Sequence, residues 1–129
     1  MPWVEIFAVF VVSHLVGDFL LQTDLQAIRK RGGLGSDRAS LRGLLSHTFT
    51  YTLAFVPGLI WLATDIGAWA IGVAALIALP HMIQDDGRLL DIYMRQVKRV
   101  EPRPGGLLIA VDQSWHMVML FLVALLVGS

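Results

Sequence analysis

Four long apolar stretches alternate with short polar connections along the chain. They run from about residue 3 to 22, 41 to 63, 67 to 90 and 107 to 127. Each has roughly the 20 residues that a helix needs to cross about 30 Å of hydrocarbon. The pattern predicts an all-α fold, a polytopic membrane protein whose single domain is an antiparallel bundle of four transmembrane helices.

The basic residues are confined to two of the three connections. The connection around Thr64 and Asp65 has none, and the other two share all ten: Arg29, Lys30, Arg31, Arg38 and Arg42 in or beside the first, and Arg88, Arg95, Lys98, Arg99 and Arg103 in or beside the third. Short loops rich in Lys and Arg stay in the cytoplasm. We therefore expect a multi-pass protein of the cell's inner (cytoplasmic) membrane, with both basic connections in the cytoplasm and both termini outside.

Composition agrees with a membrane protein and excludes several kinds of site. Hydrophobic residues make up 56% of the chain and charged residues 16%, whereas soluble domains have about 25% charged residues. The absence of cysteine excludes disulfides, thiolate zinc sites and iron–sulfur clusters. No basic residue precedes Arg29, so the first stretch is predicted to remain as a span rather than to be cleaved as a signal peptide.

The basic connections and the apolar stretches also indicate which partners the protein has. The basic connections lack the interleaved aromatic residues typical of a nucleic-acid surface, so we expect no nucleic acid and a lipid bilayer instead. The sequence is also compatible with a homo-oligomer.

Polar residues recur inside the apolar stretches in a regular pattern. Each stretch carries one histidine, and three of the four histidines have an aspartate four residues away. These pairs are His14–Asp18, His81–Asp85 and Asp112–His116, while His47 has no aspartate at that distance. Four residues advance a helix by about 400°, so both members of each pair lie on one helical face.

Depth in the membrane suggests that the pairs meet. Counted from the cytoplasmic helix ends, the side chains lie one to two turns deep in one shallow layer, which a four-helix bundle can gather in its core. An aspartate at mid-membrane costs about 2.5–3.5 kcal/mol and almost always pairs. Imidazole and carboxylate suit a divalent transition metal such as zinc, manganese or iron. The set fills a dinuclear site better than a mononuclear one, and the predicted ligands are His14, Asp18, His47, His81, Asp85, Asp112 and His116.

Other interpretations of the polar residues remain open. The pairs can form a hydrogen-bonded network that holds the helices in register, or a path for protons or ions. Gln22 continues the His14 face and Gln113 adjoins Asp112, so both are candidates for contacting the cofactor or substrate. They can equally be polar residues at a helix end.

These motifs resemble a known family. The chain contains HxxxDFLLQ from His14, a histidine at position 47, HxxxD from His81 and DQxxH from Asp112. This order is similar, over nearly the whole chain, to a family of small bacterial membrane proteins of unknown function. That family is similar to LexA-regulated membrane-bound metal-dependent hydrolases and, more distantly, to helical zinc phospholipases C and related nucleases. The resemblance implies two or three bound metal ions and phosphoester hydrolysis.

Two functions from different classes follow. The first is a metal-dependent hydrolase acting on a lipid-linked phosphoester or ester near the cytoplasmic leaflet, with Asp18, Asp85 and Asp112 as candidate catalytic carboxylates. Arg42 and Arg88 would then favour an anionic headgroup. The second is a non-enzymatic, metal-stabilised membrane subunit or a small carrier of metal ions or protons. A haem-binding variant would leave the paired aspartates without a role.

Overall fold

A computed structural model of the chain describes residues 1–35 and 37–129, and this part is helical without a strand. One π-helical turn, Val16–Leu20, continues the first helix. The six α-helices are α1 (Trp3–Leu15), α2 (Asp24–Arg29), α3 (Arg38–Ile66), α4 (Trp69–Asp86), α5 (Arg88–Gln96) and α6 (Gly106–Val127).

The four long helices form a ring in which α1 and α4 each pack against both α3 and α6. At one end of the ring the amino group of Met1 lies 2.6 Å from Oδ2 of Asp65, and the backbone N–H of Ser129 donates to the Met1 carbonyl at 3.0 Å. At the other end the backbone N–H of Gly32 donates to the Asp86 carbonyl at 2.7 Å. Consecutive long helices therefore run in opposite directions, and both basic connections lie at one end.

Apolar side chains fill the centre of the ring and cover much of its outside. The central cluster includes Phe10, Tyr51, Phe55, Leu62, Ile77 and Leu120. In the described part of the chain, three helical segments are long and apolar enough to cross a membrane: Trp3–Leu20, α3 and α6. Helix α4 does not reach that standard, because its 18 residues end in the polar run Gln84, Asp85 and Asp86. The four-span arrangement thus stays a prediction.

Both basic connections contain a short helix that the apolar pattern does not reveal. Helix α2 begins with a capping box in which Thr23 and Gln26 each accept from the other's backbone N–H. Helix α5 follows α4 after Gly87, whose φ of 81° ends the third apolar helix at Asp86 rather than near residue 90.

The second apolar helix begins three residues before the predicted boundary. Asp37 caps α3, because its Oδ2 accepts hydrogen bonds from the backbone N–H and the hydroxyl of Ser40. These bonds stabilise the charged carboxylate and lower the pKa of Asp37. Helix α3 therefore runs from Arg38 to Ile66 instead of from about 41 to 63.

The first apolar helix ends in a π turn rather than in a regular turn that reaches Gln22. The backbone N–H of Leu21 donates to the Val16 carbonyl five residues earlier, at 2.9 Å. A Cβ at Gly17 would lie only 2.7 Å from Cδ2 of Tyr51, so the absence of a side chain lets this turn lie against α3. Asp18, inside the turn, is thereby brought close to α3.

Candidate metal centre

The histidines and aspartates singled out by the sequence meet at the end of the ring that carries the basic connections. All four histidines are at most 2% exposed, and Asp18 and Asp85 are at most 5% exposed. Asp112 lies at the edge, with 24% of its side chain exposed. Seven side chains from four helices therefore form one cluster, closed to solvent except beside Asp112.

Four ligand atoms of this cluster converge on one point, and we call this the first group. Nε2 of His47 lies 3.0 Å from Oδ1 of Asp18, 2.9 Å from Oδ2 of Asp85 and 3.1 Å from Nε2 of His81. Nε2 of His81 lies 3.0 Å from Oδ2 of Asp85 and 3.5 Å from Oδ1 of Asp18. A tetrahedral zinc ion with bonds of about 2.0–2.1 Å keeps neighbouring ligand atoms about 3.3–3.4 Å apart. The first group has nearly these dimensions.

Hydrogen bonds cannot satisfy every close polar contact of the first group at the same time. Each imidazole Nε2 carries at most one proton. Nε2 of His47 nevertheless has three polar neighbours within 3.1 Å, and one of them is another imidazole nitrogen. If both nitrogens are protonated they repel each other, and if one is not, its lone pair faces the carboxylates. The first group is one that could hold a metal ion, and a cation at its centre would contact all four atoms together.

Asp85 also belongs to a second group, formed with Asp112 and His116. Nε2 of His116 lies 3.3 Å from Oδ1 of Asp85 and 3.6 Å from Oδ1 of Asp112. Nε2 of His116 and Oδ1 of Asp85 are both buried without a hydrogen-bond partner among the described residues. Asp85 thus presents Oδ2 to the first group and Oδ1 to the second.

His14 is close to the cluster, and hydrogen bonds occupy both of its ring nitrogens. It can form a further group with His81 and His116. Its Nδ1 lies 2.9 Å from the Tyr51 hydroxyl, however, and its Nε2 lies 2.8 Å from Oε1 of Gln113. Metal ligation by His14 stays a prediction, and it would require the loss of one of these two contacts.

Gln113 connects the histidines with the carboxylates. Its amide nitrogen donates to Oδ2 of Asp18 at 3.4 Å and to Oδ2 of Asp112 at 3.3 Å. These acceptors fix the amide orientation, so Oε1 accepts from the Nε2–H of His14, and Nδ1 of His14 accepts from Tyr51. Gln113 is therefore placed to orient ligands, in agreement with its position beside Asp112 in the sequence.

Gln22 makes no hydrogen bond to the cluster among the described residues, so its contact with a cofactor or substrate stays a prediction. The π turn inserts an extra residue after His14, and the helix ends at Leu20, so the face that carries His14 and Asp18 does not continue to Gln22. Its Oε1 is buried without a hydrogen-bond partner among the described residues. Asp86 faces away from the cluster, because its carboxylate accepts hydrogen bonds from Nε of Arg88 at 2.7 Å and from the backbone N–H of Leu34 at 2.8 Å.

Two residues of the cluster were missed by sequence reasoning. The Tyr51 ring stacks on the His81 ring with centroids 3.4 Å apart and an interplanar angle of 6°. Tyr51 follows His47 by four residues, so a search for any polar partner at that spacing, rather than for aspartate alone, would have found it. Nζ of Lys30 lies 3.0 Å from Oδ2 of Asp85. Nothing in the Arg-Lys-Arg run distinguishes Lys30 from its neighbours.

The two arginines expected near an anionic headgroup lie elsewhere. Arg88 pairs with Asp86 through its Nε at 2.7 Å. Arg42 lines a cavity of about 210 Å³ between α2 and α3 with Gln26, Arg29 and Ser46. Among the described Lys and Arg side chains, the one that pairs with the cluster is instead Lys30.

Comparisons with known proteins identify a family. No match to the chain was found among curated proteins or among solved structures. A family model described as "Protein of unknown function (DUF3307)" matches residues 6–129, which include every residue of the cluster. The chain therefore belongs to the DUF3307 family of proteins of unknown function.

Proposed function

We propose that this protein is an intramembrane metalloprotein that binds two divalent cations, with zinc as the first candidate. The convergence of the first group carries the proposal, because two imidazoles and two carboxylates there have the dimensions of a tetrahedral metal site. The second group supports a dinuclear centre. Asp85 faces both groups with different oxygens, so its carboxylate would help to hold a cation in each group.

We further propose that the four long helices span the inner membrane, with the cluster near its cytoplasmic face. The start of α1 and the end of α6 lie together, as an even number of crossings requires. Ile71 on α4 is 77% exposed, which suits a lipid-facing side of that helix. The ten basic residues all lie at the opposite end of the ring, which the positive-inside rule assigns to the cytoplasm.

Reporter fusions test this topology. A reporter inserted near Gly33 should be active in the cytoplasm, and one fused after Ser129 should be active outside. A three-span protein with α4 out of the membrane would place Gly33 and Ser129 on the same side. That result, or a cytoplasmic C-terminus, would contradict the four-span proposal.

The activity that we propose is hydrolysis of a lipid-linked phosphoester. Bound divalent cations would lower the pKa of a bound water toward about 7 and polarise a phosphoryl oxygen. The chain itself would orient the ligands through Gln113 and Tyr51 and exclude bulk water through burial. Asp112, at the exposed edge, is placed to accept the proton of the attacking water.

A substrate screen tests the hydrolase proposal. Wild-type protein purified in mild detergent without chelator should cleave at least one lipid phosphoester. Chelation should abolish turnover, and one particular divalent ion should restore it. If metal-loaded protein cleaves nothing in a broad phosphoester and ester screen, while ion flux into proteoliposomes depends on Asp18 and Asp85, the carrier function replaces the hydrolase. Absence of both activities would favour a metal-stabilised subunit.

A further inference from the structure

A cavity at the surface of the ring reaches two carboxylates of the cluster. It has a volume of about 110 Å³, several times what one water needs, and lies between α2, α4, α5 and α6. Asp85, Asp112 and Lys30 line this cavity, and Leu108 and Ile109 form part of an apolar wall. The cavity therefore gives access to both carboxylates of the second group, and its lining contains charged and apolar side chains.

Lys30 is the cationic group nearest the cluster. Its side chain is only 14% exposed, and its ammonium lies 3.0 Å from Oδ2 of Asp85, the oxygen that also faces His47 and His81. Arg31, which lines the same cavity, is paired with Asp91 at 2.7 Å. Among the described residues, the anionic partner of Lys30 is therefore Oδ2 of Asp85, which also belongs to the first group.

Because Lys30 and the first group share this oxygen, a cation bound in the first group would lie close to the Lys30 ammonium. A cation within about 2.2 Å of Oδ2 of Asp85 would lie within roughly 5 Å of the ammonium, because the ammonium is itself 3.0 Å from that oxygen. Two positive centres so close in a buried site repel strongly. An anion that contacts both relieves the repulsion, and the cavity beside Asp85 has room for one.

The charge count indicates which anion fits. Two divalent cations and the Lys30 ammonium exceed the three carboxylates of Asp18, Asp85 and Asp112 by two positive charges. A phosphoryl group carries close to two negative charges at neutral pH, and its oxygens accept from ammonium and coordinate cations. The buried Oδ1 of Asp85, without a hydrogen-bond partner among the described residues, marks the side on which the second cation and the anion would meet.

We infer that Lys30 and the metal-loaded cluster together form a binding site for a phosphoryl group, in the cavity beside Asp85 and Asp112. The inference rests on the proposed dinuclear centre and deepens the proposed function by naming the cavity and the residue that bind the phosphoryl group. The phosphoryl group can belong to a lipid or be free in solution. The apolar wall at Leu108 and Ile109 suits the first glycerol or acyl carbons of a lipid.

Calorimetric titration of metal-loaded protein tests the inference. The titrants are inorganic phosphate and, in separate mixed micelles, short-chain phosphatidic acid. The chain has two lysines, so Lys98→Met, at an exposed position away from the cavity, is a matched control for Lys30→Met. We expect Lys30→Met to weaken phosphate binding by about 10- to 100-fold at unchanged metal content, because a charge-assisted hydrogen bond is lost. Lys30→Arg should restore most of the affinity, and Lys98→Met should bind like wild type.

The metal content of each sample separates this inference from the proposed function. Metal-loaded Lys30→Met that binds phosphate and phosphatidic acid as tightly as wild type would overturn the site. If Lys30→Met instead loses metal and thermal stability, while phosphate affinity per bound ion is unchanged, Lys30 is only a structural partner of Asp85. Wild type that holds metal but binds neither titrant contradicts the inference alone, and wild type without metal contradicts both. Lys30-dependent binding without turnover would support the site and reject the hydrolase.

Discussion

The His81→Ala variant should lose nearly all of the bound metal. His81 contacts both groups, with Nε2 in the first group and Nδ1 3.2 Å from Nδ1 of His116 in the second. Its ring is also stacked on Tyr51. Even the loss of a residue that only orients a ligand costs about 10- to 100-fold in metal affinity, and the loss of a ligand should cost more. Elemental analysis of protein purified without chelator measures the effect.

Thermal unfolding distinguishes loss of metal from general damage to the fold. A bound ion present at about 100 times its dissociation constant stabilises the folded state by about 2.7 kcal/mol. Chelation should therefore lower the melting temperature of wild type and leave that of His81→Ala unchanged. Ser114→Ala is a suitable control, because the Ser114 hydroxyl bonds, among the described residues, only to the Ala110 carbonyl of its own helix. Equal metal content and equal sensitivity to chelator in wild type and His81→Ala would leave the hydrogen-bonded network as the better explanation.

The long helices could be predicted from the sequence because long apolar runs between polar segments give a strong signal. Long apolar runs with polar connections locate α1, α3, α4 and α6, although their ends differ by several residues. The π turn at Val16–Leu20 could not be predicted in this way. It depends on the close contact between Gly17 and Tyr51, which belongs to the tertiary structure and leaves no periodic pattern in the sequence. The same holds for α2 and α5, which are short and lie in polar segments.

Helical geometry predicts the pairs within each helix, but it does not predict the contacts between helices that complete the cluster. A spacing of four residues places each His–Asp pair on one face, and the depth of the pairs predicts that they share a layer. The choice of partner across helices follows from packing instead. His47 contacts Asp18 and Asp85, which lie on two other helical segments, and Lys30 reaches Asp85 from a connection. Contacts of this kind connect residues far apart in the chain, and no spacing rule identifies them.

If Asp85 is the carboxylate that both groups share, as we propose, Asp85→Asn should have a larger effect than Asp112→Asn. An asparagine keeps the shape of aspartate and one acceptor oxygen, but it loses the charge and cannot offer an oxygen to both groups. Asp85→Asn should therefore hold at most one metal ion per chain and lose turnover by at least about 100-fold. Asp112 lies at the exposed edge and contacts only the second group. Asp112→Asn should therefore leave the ion of the first group in place.

Metal stoichiometry and turnover, measured on the same samples, check this order. Circular dichroism and gel filtration in detergent show whether each variant keeps its helices and its size, so that loss of chemistry is separated from loss of fold. We expect one ion and residual turnover for Asp112→Asn, and less of both for Asp85→Asn, because both groups depend on Asp85. Two ions retained by Asp85→Asn would show that its carboxylate does not bridge. Equal losses in the two variants would mean that the cluster binds and loses its ions as one unit, without the division into two groups that the contacts of Asp85 indicate.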